Sequence, residues 1–145
     1  MYPSLSLYYN TFVWLLLGSS FLFPQVSALV LTPWTPPDAI VTAQLAALQQ
    51  DNMNEVYKYA SPSNKEQMGS IDQFGTMVRR SGIYRPLIRH DRATILLTYR
   101  APVAWQGLVR VSHDDTIAEY WWSLSRCTSG HYYGCYMVDA VIPNL

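Results

Sequence analysis

The chain has no Asp, Glu, Lys or Arg before Asp38, only two cysteines, no internal repeat and no arrangement of acids, bases and nucleophiles that forms a strong catalytic signature. Each shortage excludes something. With ten basic and ten acidic side chains the formal charge is zero, so no net field draws the molecule to nucleic acid or to anionic lipid. Two cysteines, Cys127 and Cys135, cannot complete a four-ligand zinc site with His131 as their only neighbour of that type. They flank a short connection, so they either close a disulfide in an oxidising compartment or serve as small core residues in a reducing one. No residue set predicts a cofactor or a metal.

What is present at the N-terminus is an apolar run, Phe12 to Phe23, followed by Pro24 and the small-x-small triplet Val26-Ser27-Ala28. A short apolar stretch ending in such a triplet reads as a secretory signal or targeting segment over residues 1–28, cleaved after Ala28. A membrane anchor is the alternative, but the run falls short of the roughly 20 apolar residues that a spanning helix needs. Half of the whole chain is apolar and it has 145 residues, enough for one domain with one core. Residues 29–37 form a Pro-rich extended lead-in whose Trp34 is expected to dock on that domain, residues 38–145.

Helix signals dominate the first half of the domain. Thr35 as cap, Pro36 at the first helical position and Asp38 complementing the dipole start one helix; Val41, Leu45 and Leu48 give its buried stripe. Asp51-Asn52 caps a second helix over Met53 to Ala60, and Ser61-Pro62 starts a polar turn that Gly69 stops. Ser70-Ile71-Asp72-Gln73 is a Ser-x-x-Gln capping box, opening a third helix that Arg79 and Arg80 close on the negative end of its dipole.

After Tyr84-Arg85-Pro86 the pattern turns to strands, expected at Arg92–Tyr99, Ala104–Val111, Thr116–Arg126 and Cys135–Ile142. Tyr120-Trp121-Trp122 loads both faces of the third strand with aromatics, and such a strand belongs inside a sheet rather than at its edge. The fold class is therefore α+β: three N-terminal helices packed on one face of a curved four-stranded antiparallel sheet.

Tyr59-Ala60-Ser61-Pro62-Ser63-Asn64-Lys65, Gly69, Phe74-Gly75-Thr76-Met77-Val78-Arg79, Tyr84-Arg85-Pro86-Leu87, Trp122, Leu124-Ser125-Arg126 and Gly134-Cys135-Tyr136-Met137-Val138-Asp139 carry a resemblance. Between about Ala39 and Ile142 the chain resembles a family labelled only as a domain of unknown function, found in bacteria, cyanobacteria and photosynthetic eukaryotes. Its members look like small relatives of the nuclear transport factor 2-like cone fold. The resemblance implies a sheet curled around helices with a pocket at the open end, and no set of catalytic residues. A place in a photosynthetic, membrane-associated complex, as an accessory subunit imported into a plastid, is a further implication of that distribution.

Candidate site residues follow. Tyr57, Tyr59, Phe74, Tyr120, Trp122 and Asp139 are expected to line a pocket, for aromatic-rich pockets gain affinity from buried area and orient ligands with few polar groups. Asp139, the only acid of the last strand, is the candidate acid or base of an isomerase or dehydratase, with Tyr57, Tyr59 or Tyr120 as hydrogen-bond donor. Pairing with an Arg or with water is the reading the sequence favours, because several convergent polar groups are needed and only one stands out. Arg79, Arg80, Arg85 and Arg89, with His90 and Arg92, concentrate positive charge suited to an anion or an acidic partner surface. His113-Asp114-Asp115 offers three oxygen or nitrogen ligands, but consecutive side chains of a tight turn diverge; His90-Asp91 reads as a solvated turn. The preferred function is a non-enzymatic domain binding a small apolar ligand or a protein partner.

Overall fold

The computed structural model describes residues 28–145. The expected signal segment, its cleavage site and any anchor in the apolar run lie outside those residues, apart from Ala28 itself. Among the described residues no helix is long and apolar enough to cross a membrane.

Four α-helices precede the sheet: α1 (Pro37–Gln49), α2 (Met53–Lys58), α3 (Pro62–Met68) and α4 (Ile71–Arg80). The count exceeds the three expected. The Ser61-Pro62 turn continues into a full helix, because Ser61 accepts from the Asn64 amide and Pro62 presets the first helical position. Asn52 caps α2 through the Glu55 amide, and Ser70 and Gln73 close both bonds of the capping box on α4. Thr35 does not cap α1. Pro36 holds that position without a side-chain bond, and the Thr35 hydroxyl instead accepts from the Thr32 amide, tying the lead-in into a turn. Trp34 does not dock either and is 89% exposed. The lead-in is anchored one residue earlier, where the Arg126 guanidinium donates to the Pro33 carbonyl at 2.9 Å, while Leu29 and Leu31 pack on the core.

A short 3-10 turn, Arg85–Leu87, leads into an antiparallel meander of β1 (Arg92–Arg100), β2 (Ala104–His113), β3 (Thr116–Arg126) and β4 (Tyr136–Pro143), in spatial order β1-β2-β3-β4. The aromatic strand is interior, between β2 and β4. Alternation sets its faces: Tyr120, Trp122 and Leu124 point inward and are at most 1% exposed, opposite Val109, Gly107 and Trp105 of β2. Trp121 points outward and stacks on Tyr99 of β1. Gly107 is required by its neighbour, since the Trp105 ring lies across it, 2.2 Å from where a Cβ would stand.

The register slips by one residue in two places, at Leu96 in β1 and at Asp139 in β4, each the extra residue of a β-bulge. Bulges bend and twist a strand, so both outer strands curve. The free edge of β4 is covered by the α2–α3 junction: Val138 donates to the Tyr59 carbonyl, and its own carbonyl accepts from the Ser61 amide and the Asn64 side chain. The four helices and the inward sheet face enclose one core, from Ile40, Val41 and Leu45 through Val56 and Val78 to Trp122 and Val138.

Candidate functional site

Where the helices meet the inward face of β3 and β4, the core is not filled. A cavity of ≈ 310 Å³ opens between the four helices and the two strands, walled by Leu48, Val56, Phe74, Val78, Trp122 and Val141. Two flexible thioethers, Met68 and Met77, also line it; Met77 is 40% exposed. Unbranched Met side chains adapt to shapes that a branched aliphatic wall rejects.

The polar groups of the wall are mostly engaged with the protein itself. Gln44 is 4% exposed; its Oε1 accepts from Trp122 Nε1 at 2.7 Å and its Nε2 donates to the Val56 carbonyl at 3.1 Å. Tyr84 donates to the Val141 carbonyl and Asn64 to that of Val138. A buried amide satisfied at both ends fixes the wall and offers little unspent hydrogen-bonding capacity to a ligand. Gln67, for which no internal hydrogen bond is formed among the described residues, and the free oxygens of Asn64 and Asp139 are what a ligand could still address.

The sequence-derived pocket residues divide. Phe74, Trp122 and Asp139 line the cavity, whereas Tyr57, Tyr59 and Tyr120 stand behind its wall. The hydroxyls of those three are spent on structure. Tyr57 donates to the Gly69 carbonyl, Tyr59 to Glu55, and Tyr120 to the Ile83 carbonyl at 2.6 Å. Burial raises the Tyr59 phenol far above its ordinary value, with the Glu55 carboxylate adding to it. Burial, then the neighbouring Tyr84, pushes Tyr120 up to about 12. Both stay protonated near neutral pH as fixed donors.

Asp139 is placed by the bulge. As the extra residue between inward Val138 and Ala140, which pairs with outward Ser123, it borders both the cavity and the outer cleft next to Tyr99 and Trp105. Its Oδ2 accepts from Ser125 Oγ at 2.6 Å, and Ser125 belongs to the outward row of β3. One carboxylate oxygen is thereby committed to the sheet's outer side.

The arginines also separate. Arg79, Arg85 and Arg89 converge with Ile88 on a second cleft of ≈ 230 Å³, which His113 from the end of β2 completes; Arg80 does not line it. The sequence offers His113 with Asp114 and Asp115 as three possible ligands whose side chains diverge in a tight turn. In the fold His113 borders the arginines of this cleft as well as Asp114, and among the described residues no three His, Cys, Asp or Glu side chains converge as metal ligands. His90 is not solvated: it is 5% exposed, its Nδ1 pairs with the Leu87 carbonyl at 2.9 Å, and its own carbonyl accepts from Gln49. Leu87 and Ile88 pull it in, being buried themselves. Cys127 and Cys135 are free thiols on facing backbone positions, Cys127 donating its amide to the Cys135 carbonyl. Burial and the facing Cys127 raise the Cys135 thiol above its ordinary value.

Gln44, Val56, Val78 and Leu87 were missed as lining residues. Each sits on a helix stripe or apolar turn that reads simply as core, and no local signal separates a stripe that fills its space from one that leaves a void. The description of the family model that matches residues 36–140 is "Domain of unknown function (DUF4864)". No curated protein and no solved structure matches the chain.

Proposed function

The chain belongs to the DUF4864 family, and from that premise we propose that its domain is a non-enzymatic receptor for a small, largely apolar molecule held in the cavity between the helices and the inward sheet face. The observation that carries the reading is the cavity itself: ≈ 310 Å³, within the usual range of about 300–1,000 Å³ for ligand sites, and walled mainly by apolar side chains. An unfilled apolar pocket leaves its wall atoms without packing partners on one side. A ligand that fills one restores to its walls the dispersion attraction that an empty space denies them. The committed hydroxyls of Tyr57, Tyr59 and Tyr120 support binding over acid–base turnover, because none is left as a free donor facing Asp139.

The same arrangement supports reading the fold as a nuclear transport factor 2-like cone, with helices on the inward side of a doubly bulged meander and the opening at one end. Binding is tested by titrating the protein with 1-anilinonaphthalene-8-sulfonate, whose emission rises in an apolar site. Saturable one-to-one binding is expected in the wild type. In Met77→Trp, where an indole at the partly exposed mouth occludes the entrance, affinity should fall about ten-fold or more, a loss of about 1.4 kcal/mol. Equal binding by the two proteins, or none by either, overturns the proposal.

A further inference from the structure

The second cleft lies on the other side of the Arg85–Leu87 turn from the apolar cavity, and its chemistry is the opposite. Arg79 comes from the last turn of α4, Arg85 from the 3-10 turn, Arg89 from the loop after it and His113 from the end of β2. Four cationic or hydrogen-bond-donating side chains from four separate places thus border one space of ≈ 230 Å³. Three acids stand nearby: Asp91, two residues from Arg89 with its amide on the Ser112 carbonyl, is exposed to solvent, and the other two are taken. Asp51 pairs with Arg79 at 2.9 Å, and Asp114, at the exposed tip of the β2–β3 turn, faces His113 Nε2 at 3.6 Å. Arg85 and Arg89 form no ion pair among the described residues, and residues 1–27 carry no acidic side chain.

Arg79 has an ordinary explanation, complementing the negative end of α4. Arg89 has none. Its backbone is left-handed, φ 53°, a conformation unfavourable for a non-glycine residue and one that Gly or Asn would take at less cost. The fold enforces it because the Arg89 amide donates to the Leu48 carbonyl at the end of α1 while the chain turns from Leu87 into β1. A long cationic side chain on a strained backbone position, aimed at no acid, is the kind of outlier from which a functional role is inferred. A second, independent observation comes from the end of β2: among the described residues His113 Nδ1 is buried and has no hydrogen-bond partner. An unpaired buried nitrogen on a side chain that borders a cationic cleft is an exception to the rule that buried polar groups are hydrogen-bonded.

We propose that the cleft formed by Arg79, Arg85, Arg89 and His113 is a phosphate-binding site, taking the phosphoryl group of a small phosphomonoester or of a lipid headgroup. A planar carboxylate presents two oxygens in one plane; a phosphoryl group presents three, which suits a cleft bordered by donors from four separate elements of the chain. Guanidinium forks bind such oxygens in bidentate pairs. Zero net charge and a single compact cluster make an extended nucleic-acid track a poor occupant. The site is independent of the apolar cavity and stands or falls without it.

The full chain is titrated calorimetrically with inorganic phosphate and with phenyl phosphate, at constant ionic strength set by chloride. Saturable binding is expected, weakened about ten-fold or more by Arg85→Ala and by Arg89→Gly, and changed less than about two-fold by Arg80→Ala, which removes a neighbouring charge outside the cleft. Arg89→Gly also relieves the left-handed backbone, so its thermal midpoint should equal or exceed the wild type's; loss of binding then cannot be loss of fold. On phosphate addition the His113 Nδ1 resonance should shift in the ¹⁵N spectrum. Sedimentation with phosphatidylcholine vesicles containing phosphatidic acid separates the two sources. Pelleting that needs Arg85 and Arg89 identifies a headgroup, and binding of phenyl phosphate without pelleting identifies a soluble ester. No saturable phosphate binding, or binding equal in wild type, Arg85→Ala and Arg89→Gly, overturns the proposal.

Discussion

Gln44 decides how the inner end of the cavity is built. It lies within a helix stripe of Ile40, Val41, Leu45 and Leu48, and its amide clamps α1 to Trp122 of the sheet and to the end of α2. Replacing it by Leu of similar volume would leave a buried indole N–H without an acceptor. It would also remove the side-chain donor from the Val56 carbonyl. Each unsatisfied group costs about 1–3 kcal/mol, so Gln44→Leu should lower stability by roughly 2–4 kcal/mol in urea unfolding with an unchanged m-value. A change below about 0.5 kcal/mol would mean that water replaces the amide. The sequence gives little notice of this role, because a lone Gln among apolar residues looks like the polar edge of an amphipathic helix. Gly107 and Trp105 are the opposite case: a glycine in a strand pattern already suggests close approach, and the indole lying across it supplies the reason.

At the level of elements, the strands were the most legible part. β3 runs from Thr116 to Arg126 as its aromatic and β-branched content predicts, and its interior place follows from the size of both faces. The helix caps at Asn52 and Ser70 were equally plain, being local hydrogen-bonding chemistry. What the sequence could not yield were the bulges. Asp139 reads as one more alternating strand residue until the partner strand is known, and the slip it causes turns its carboxylate toward Ser125. The burial of His90 also depends on a distant element, the Gln49 side chain at the end of α1. The loop from Ser81 to Asp91 is held to the sheet by Tyr120 donating to Ile83, Tyr84 donating to Val141, and the stacking of the two rings. Tyr120 holds its proton more tightly when folded, up to about 12 against an ordinary 10.0. Its stabilising contribution is therefore fully present below about pH 10 and lost as the pH rises through about 12. Among the 11 tyrosines, a late-ionising class is expected in absorbance at 295 nm, its ionisation coinciding with loss of near-ultraviolet circular dichroism. Tyr120→Phe should remove one residue from that class; ionisation of every tyrosine near 10 in the folded protein would contradict the assignment.

For the molecule as a whole, the α+β class, the four-stranded meander and the placement of helices against one sheet face were all readable from periodicity and caps. The two clefts were not. A cavity is a shortfall of volume among residues far apart in sequence, and the apolar stripes of Val56 and Val78 look the same whether or not they meet. The cationic cleft was half legible. The arginine concentration is visible in the sequence, but the exclusion of Arg80 and the arrival of His113 from a strand end depend on the tertiary structure. What results is a small domain with an apolar chamber and an arginine-lined cleft on either side of one turn. In the proposed function the chamber holds a small apolar molecule. Native mass spectrometry of the protein isolated from its own source, set against its denatured mass, tests this directly. The expected native mass is greater by one small-molecule increment that disappears on denaturation and that Met77→Trp fails to carry. A native mass equal to the denatured mass in the wild-type protein would contradict it.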